Sequence, residues 1–369
     1  MILKHKKINV LGTMSGTSFD GIDISTIITD GIKIYDYGKN FYFKYPKNIA
    51  EKLLKLSNCE LNVYENKILL EELSLKITNF YGQKILSFPD IEKIDLIGFH
   101  GQTIYHNPLE KTSIQLGNAQ LLSNILKKPV ISDFRSNDLL HGGQGAPLAP
   151  IYHKYIIKEL KTSFPTCFLN IGGISNLTYM DEKKLIAFDT GPGNCLVNDL
   201  MRVFFNKDFD KNGDVAFSGK INIKILNELN KDNFFKLTYP KSLDRQYFAH
   251  YMKKLIQCQN SKNLIATISE FTALTISNSL KLLPNYPKNI IVSGGGTKNK
   301  YIIERLKRHT KCKIEILNSA NFNPDFVEAQ LIGFLSVRSI RNLPNTFPST
   351  TGVSKPISGG QLYCPIKNH

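Results

Sequence analysis

One order of elements, three strands, a helix, a strand, a helix and a strand, can be read twice along this 369-residue chain. Few folds satisfy it. In the first half, KINVLGTM, GIDISTII, IKIYDYG and NFYFKY are rich in Ile, Val, Tyr and Phe and are broken by Gly and Asp turns, the pattern of an antiparallel meander. Apolar residues at helical spacing follow from Asn48 to about Leu86, among them Leu53, Leu56, Leu69, Leu73 and Ile77. IDLIGFHGQT then reads as a buried strand entering a glycine turn, and a helix and the strand KPVISDF come after it. The second half repeats the order. TCFLNIGGISNLTYM is strand, glycine turn, strand, KLIAFDTGPGN is a third strand, and helices alternate with KNIIVSGGGTKN and CKIEIL.

Strands that alternate with helices imply a largely parallel sheet, and the opening meander adds an antiparallel edge. The expectation is an α/β protein of two domains, each a mixed sheet covered by helices, facing one another across a ligand-binding cleft. The boundary is expected between residues 125 and 150, giving an N-terminal domain over 1–130 and a C-terminal domain over 131–339. A last helix around Phe326 to Asn342 is expected to cross back, so that 340–369 rejoins the first domain.

Composition narrows the function. With 42% hydrophobic residues the chain can bury a large core. No apolar run approaches the ~18–20 residues of a membrane span, and MILKHKKINV has no signal-peptide hydrophobic region, so a cytoplasmic protein without a membrane partner is expected. Cys59, Cys167, Cys195, Cys258, Cys312 and Cys364 show no metal-ligand spacing and read as free thiols. The net charge of +16 raises the question of an anionic partner. Its lysines are dispersed, and LEKTS, LKKPV and YMDEKKL carry no interleaved aromatics, which favours solvated loops over a nucleic-acid surface.

The glycine-rich turns all fall at strand ends. In VLGTMSGTSFDGIDIST, residues 10–26, Gly16 and Gly21 allow backbone N–H groups to approach a phosphate, and Thr17 and Ser18 add hydroxyl donors. Asp20 and Asp23 suit a hydrated Mg2+, which takes few carboxylates and keeps several waters. An ordinary polar hairpin is the alternative, and repetition argues against it: NIGGISN, DTGPGN and SGGGTKN each set two or three glycines after an apolar strand, and the last two lead into helical sequence. There is no GxxxxGK[ST] loop, and GGGTKN lacks the third glycine of a dinucleotide fingerprint. Asp189 ends a buried strand where a glycine turn opens space, the position of a general base, with helix capping as the competing role. His100, His106 and His141 lie beside glycine turns at spacings that match no zinc pattern and read as hydrogen-bonding groups. DFDKNGDVAFSG resembles the start of a calcium loop but has Gly219 where calcium needs a bidentate Glu, so it reads as a turn.

Taken together, GTMSGTSFDGID (12–23), GFHGQT (98–103), ISDFRSNDLLHGGQGAPLAP (131–150), NIGGISNLT (170–178), DTGPGNCLVND (189–199), VSGGGTKN (292–299) and EAQLIGF (328–334) resemble the anhydro-N-acetylmuramic acid kinases of the actin/Hsp70/sugar-kinase ATPase superfamily. The resemblance implies two RNase H-like domains and a reaction in which ATP and water open the 1,6-anhydro bridge of the amino sugar and phosphorylate O6. It implies ATP and Mg2+ as cofactors, an amino sugar as substrate, a homodimer, and a place in cell-wall recycling. By the same resemblance Asp189 is the general base, and Gly16, Thr17, Ser18, Phe19, Asp20, Gly21, Ile22 and Asp23 hold ATP phosphates. Gly172, Gly173, Gly294, Gly295, Gly296 and Asn299 also fall to ATP, and Asp20 and Asp23 to the metal. His100, Gln102, Arg135, Asp138 and Glu328 fall to the sugar. The chain departs from the family at DFRSND, where many relatives read DFRRRD, so Ser136 and Asn137 replace basic residues. Two other readings stay open: a kinase for another amino sugar, and an ATP-gated binding module of the actin/Hsp70 type, which predicts a peptide-binding domain for which no residues are left over.

Overall fold

Ile8–Ser15 (β1), Gly21–Thr29 (β2) and Ile34–Lys44 (β3) form the expected antiparallel meander in a computed structural model that describes residues 7–16, 18–58, 66–243, 245–257, 260–318 and 322–366. IKIYDYG and NFYFKY are one strand rather than two, because Gly38 lies flat against Thr26 of β2 and turns nothing. Leu96–Asn107 (β4) runs parallel to β1, Thr112–Leu116 (β5) folds back on β4, and Val130–Ser132 (β6) pairs parallel with β4. The expected turn at the end of IDLIGFHGQT is instead a bulge: Gly101 takes φ +73° and β4 continues beyond it.

The chain divides into two units, Met1–Tyr152 with Ala320–His369, and His153–Ser319. This differs from the expected division, since 131–152 and 320–339 belong with the first unit. Two contacts explain it. The C-terminal strand Gln361–Tyr363 pairs antiparallel with β6, holding both in the first sheet. The helix Val327–Ile340 lies against β1, β2 and β4 so closely that a Cβ on Gly12 would stand 2.0 Å from the Ala329 carbonyl and one on Gly98 would stand 2.5 Å from Ser336 Oγ. Small residues at 329, 333 and 336 recur on one helical face and permit that approach. The opposite face of the sheet is covered by Lys67–Leu86, whose Leu73, Ile77 and Tyr81 pack with Leu11, Ile24, Ile97 and Phe99. The helical stretch expected over 48–86 comprises this helix and Lys47–Asn58, with 59–65 outside the described residues.

In the second unit Thr166–Ile171 (β7), Ile174–Met180 (β8) and Leu185–Pro192 (β9) repeat the meander, and Asn289–Ser293 (β10) and Lys313–Ile316 (β11) add parallel strands beside β7. The orders β3-β2-β1-β4-β6 and β9-β8-β7-β10-β11 are therefore the same, three antiparallel strands followed by two parallel ones. That is the RNase H-like sheet of actin/hexokinase-type domains, present twice. Ser261–Ser279 is the central helix here, nearly buried throughout. Its Glu270 receives Arg305 and His309 from the helix Lys300–His309, with Arg305 Nη2 donating at 2.7 Å. Burial opposes that charge, but hydrogen bonds from Arg305 and His309 hold the Glu270 carboxyl below its ordinary range.

Candidate active site

The turn between β1 and β2 is built around two buried polar side chains. Ser15 Oγ lies 2.8 Å from the Gly21 carbonyl and 2.5 Å from Oε1 of Gln102 on β4. Gln102 Nε2 donates to the Gly16 carbonyl at 3.1 Å and to that of Thr103 at 3.2 Å. Gln102 is wholly buried, so the side chain expected on the sugar fastens the hairpin instead. At the tip Phe19 takes φ +57° with its ring in the core, and Ile22 is also in the core. Among the residues expected on phosphate, these two present backbone only. Ser18 donates to Asp20 at 2.5 Å, Asp20 is exposed, and Asp23 is half-buried on β2 opposite Met14. Thr17 lies outside the described residues. A Cβ on Gly16 would meet nothing closer than Ser18 Oγ at 3.7 Å, so the packing there does not demand glycine.

Beyond the bulge of β4, a second group of side chains gathers around Arg135. Its Nη1 donates to the Gly145 carbonyl at 2.7 Å and its Nη2 lies 3.2 Å from His100 Nε2. An arginine only donates, so His100 Nε2 accepts and its proton is on Nδ1, 3.1 Å from the Gly101 carbonyl. Burial, with the field of Arg135, pushes His100 down to about 3, and the same two causes act on His106. Both rings are neutral, which agrees with hydrogen-bonding roles. Asp138, also expected on the sugar, is 1% exposed. Its Oδ1 accepts from the Gly145 N–H and its Oδ2 from the Thr351 hydroxyl, each at 2.6 Å. It shapes the 143–145 loop that Arg135 grips and has no face toward a ligand. Glu328 lies half-buried in the first turn of Val327–Ile340.

In the second unit the glycine turns lean on one another. The Gly173 carbonyl accepts from the N–H groups of Gly193 and Cys195, and that of Gly172 accepts from Asn194 N–H at 2.8 Å. A Cβ on Gly193 would stand 2.2 Å from the Gly172 carbonyl, so only glycine fits. Thr272 of the central helix donates to the Gly193 carbonyl at 2.9 Å. In SGGGTKN, Gly294 takes φ +85° and Gly296 abuts Ile171, while a Cβ on Gly295 would meet nothing within 4 Å. Asn299 Oδ1 caps the helix Lys300–His309 by accepting from Ile302 N–H, so this oxygen serves the fold.

Asp189 lies in β9 paired with Asn176 of β8 and is 6% exposed. Its Oδ2 accepts from the Leu243 N–H at 2.7 Å, and its own N–H donates to the Lys241 carbonyl at 3.0 Å. It does not cap the helix that follows β9, which begins at Cys195 after Asn194. The 239–243 segment that frames it was not foreseen, because a loop with no periodicity gives no signal. Ser15 and Gly193 lie within quoted motifs but were given no role of their own, and Thr272, inside a buried helix, lies in none of the motifs. The calcium-like loop is a turn: Asp210 accepts from Val215 and Ala216 N–H groups. Among the described residues no three His, Cys, Asp or Glu side chains gather as metal ligands, no helix is long and apolar enough to cross a membrane, and Cys167, Cys195, Cys312 and Cys364 are free thiols.

The family model for anhydro-N-acetylmuramic acid kinase matches residues 8–365 of the chain. Two proteins so named are close in sequence. That of Pelagibacter ubique is 38% identical over 377 residues, covering 97% of this chain and 98% of its own. That of Rhodopseudomonas palustris is 37% identical over 366 residues, covering 96% and 99%.

Proposed function

Because the chain belongs to the anhydro-N-acetylmuramic acid kinase family, we propose that it uses ATP and water to convert 1,6-anhydro-N-acetylmuramic acid to N-acetylmuramic acid 6-phosphate and ADP, in peptidoglycan recycling. The observation that carries the catalytic assignment is Asp189: a carboxylate nearly removed from solvent, one oxygen fixed by a backbone N–H, beside interlocked glycine turns. Asp189 takes a proton from water as that water attacks the anomeric carbon. The bond from that carbon to O6 breaks, O6 attacks the γ-phosphorus, and ADP leaves. Phosphoryl transfer asks chiefly for positioning and charge neutralisation.

The Gly16–Asp23 turn grips the phosphates through backbone N–H groups and Ser18, while the 294–296 turn takes the nucleoside side. Gly16 and Gly295 support this reading, since a Cβ on Gly295 would meet nothing within 4 Å and one on Gly16 only Ser18 Oγ at 3.7 Å. Mg2+ accompanies the nucleotide and neutralises phosphate charge. The exposed carboxylate of Asp20, steadied by Ser18, and that of Asp23 would hold this ion, which takes few carboxylates and keeps several waters. Arg135, His100 and Glu328 meet the sugar, and Gln102 and Asp138 hold the loops that carry those contacts. We further infer a cytoplasmic homodimer, checked by light scattering of the purified protein.

The test is ADP release with the anhydro sugar, ATP and Mg2+, with the product mass recorded, beside Asp189→Asn. The expected product is heavier than the substrate by one water and one phosphoryl group. The variant is expected to bind ATP and to lose about 100-fold or more in kcat, the scale of a missing general base. Phosphorylation of N-acetylglucosamine in place of the anhydro sugar would make this a kinase for another amino sugar. ATP binding with no sugar phosphorylated would favour a gated binding module.

A further inference from the structure

A polar row crosses β7, β8 and β9 in register: Asn170 lies opposite Asn176, and Asn176 opposite Asp189. Direct partners on neighbouring antiparallel strands share a face, with Cβ atoms about 5 Å apart. The adjoining residues Leu169, Leu177 and Phe188 belong to one apolar cluster with Ala273 and Ile276 of the central helix, so the row lies on the opposite face of the sheet. One pleat further along that face His153 closes it, its ring stacked 4.0 Å from that of Phe168 and its Nδ1 2.8 Å from Thr178 Oγ1.

Two members of the row are engaged by the fold. Asn170 Oδ1 lies against the 294–296 turn, 2.3 Å from where a Cβ on Gly294 would stand, and Asp189 Oδ2 accepts from Leu243 N–H at 2.7 Å. Asn176 between them is half-buried, its Oδ1 is sealed from solvent without a hydrogen-bond partner, and its Nδ2 donates to no described residue. The sheet gains nothing from such an amide, because an unpaired buried acceptor costs stability that an apolar side chain of the same size would not. With Oδ1 turned inward, Nδ2 is the end left for a ligand.

We propose that Asn176 is a catalytic residue whose Nδ2–H donates to O6 of the sugar as that oxygen leaves the anomeric carbon, an inference that rests on Asp189 as the base. As water attacks, its proton passes to Asp189 and its oxygen bonds to the anomeric carbon. The electron pair of the bond from that carbon to O6 stays on O6, until O6 bonds to the γ-phosphorus and ADP departs. Negative charge therefore gathers on O6, and a fixed donor aimed there acts on the transition state more than on the bound sugar. The spacing agrees. Reacting atoms meet roughly 3–3.5 Å apart, and one further bond places a group leaving in line about 5 Å beyond the attacking water, the separation of neighbouring side chains across a strand pair. Asn176 itself moves no proton.

The test has a kinetic arm and a spectroscopic one. Asn176→Leu removes the donor at similar volume and is expected to be at least as stable as the parent, to keep KM for ATP and sugar within about twofold, and to lower kcat about 100-fold, the scale of one missing oxyanion donor. The acidic limb of its pH profile, set by Asp189, should stay in place, whereas loss of a residue that merely supported the strand would lower stability or shift that limb. A folded Asn176→Leu with kcat within about threefold of the parent overturns the proposal. In the second arm, proton–nitrogen NMR of protein labelled at asparagine follows the Asn176 side-chain amide, identified by its loss in the isosteric Asn176→Asp. Adding 1,6-anhydro-N-acetylmuramic acid with a non-hydrolysable ATP analogue is expected to shift that signal. An unmoved signal in a complex shown by calorimetry to hold the sugar overturns the proposal. This readout needs no turnover, so if Asp189→Asn retains activity the base assignment fails while the amide signal still decides whether Asn176 meets the sugar.

Discussion

The β1–β2 turn of the first unit and the β7–β8 turn of the second occupy the same place in two sheets of the same order, yet they are held by different means. The first spans residues 16–20 and is fastened from beneath by the side chains of Ser15 and Gln102. The second is Gly172–Gly173 alone and is fastened by backbone, through N–H groups of residues 193–195. A turn fastened by side chains tolerates length. A turn fastened by backbone demands glycine wherever the two chains touch. The same sheet position thus accommodates two unlike loops.

Breaking the backbone contact should have the largest effect. Gly193→Ala places a Cβ 2.2 Å from the Gly172 carbonyl, where no flexible side chain can yield. A loss of about 3 kcal/mol is expected, the upper end for overpacking, with kinase activity lost alongside. Denaturant unfolding followed with an ADP assay checks it, and a variant as stable as the parent would mean the two turns are not interlocked.

Gln102→Leu attacks the side-chain device at nearly constant volume. Stranding the Gly16 and Thr103 carbonyls is expected to cost about 1–3 kcal/mol and to raise KM for ATP more than it lowers kcat. An unchanged KM for ATP would separate this clamp from nucleotide binding.

Acid should distinguish the units as wholes. His100 and His106 in the first and His153 in the second are each lowered to about 3, by burial first in all three. A folded-state histidine depressed in this way contributes fully above its unfolded value near 6.5 and increasingly disfavours the fold as pH falls from there toward 3. Each costs on the order of 1 kcal/mol per pH unit in that window. Hydrogen exchange at about pH 7 and about pH 5, on either side of that unfolded value, should therefore show protection falling further in the first unit, which has two such rings.

The smallest effect on stability is expected from Gly16→Ala, within about 0.5 kcal/mol, because the new methyl meets only Ser18 Oγ, at an ordinary contact distance of 3.7 Å. ATP affinity should nonetheless fall severalfold as the methyl crowds the phosphate approach. Equal affinity measured by calorimetry would remove Gly16 from the site.

Much of this was legible in the sequence, for reasons that also explain what was not. Strand runs such as TCFLNI and NIIVS announce themselves through apolar β-branched and aromatic content, and their order alone gives the repeated sheet. The division between units was misplaced because it rests on strands of three residues and on a helix whose contact face is Ala, Gly and Ser, types that carry little hydrophobic signal. Motifs located Gln102, Asp138 and Asn299, but a motif names a residue and not the atom it bonds. Only coordinates distinguish an amide that touches ligand from one that ties a hairpin. Asn176 was hidden for the same reason, as one polar residue inside NIGGISNLT.

The return of Val327–Ile340 onto β1 has a consequence for how the protein is made. Residues 153–319 form one uninterrupted unit, and all five strands of its sheet are made before the helix Val327–Ile340. The first unit, though translated earlier, waits with the Gly12 face of β1 bare until that helix and the Gln361–Tyr363 strand arrive. The half begun first is finished last, so a released chain that ends between residues 319 and 327 would hold every strand of the second sheet beside an open first sheet, the state in which a chaperone has most to protect.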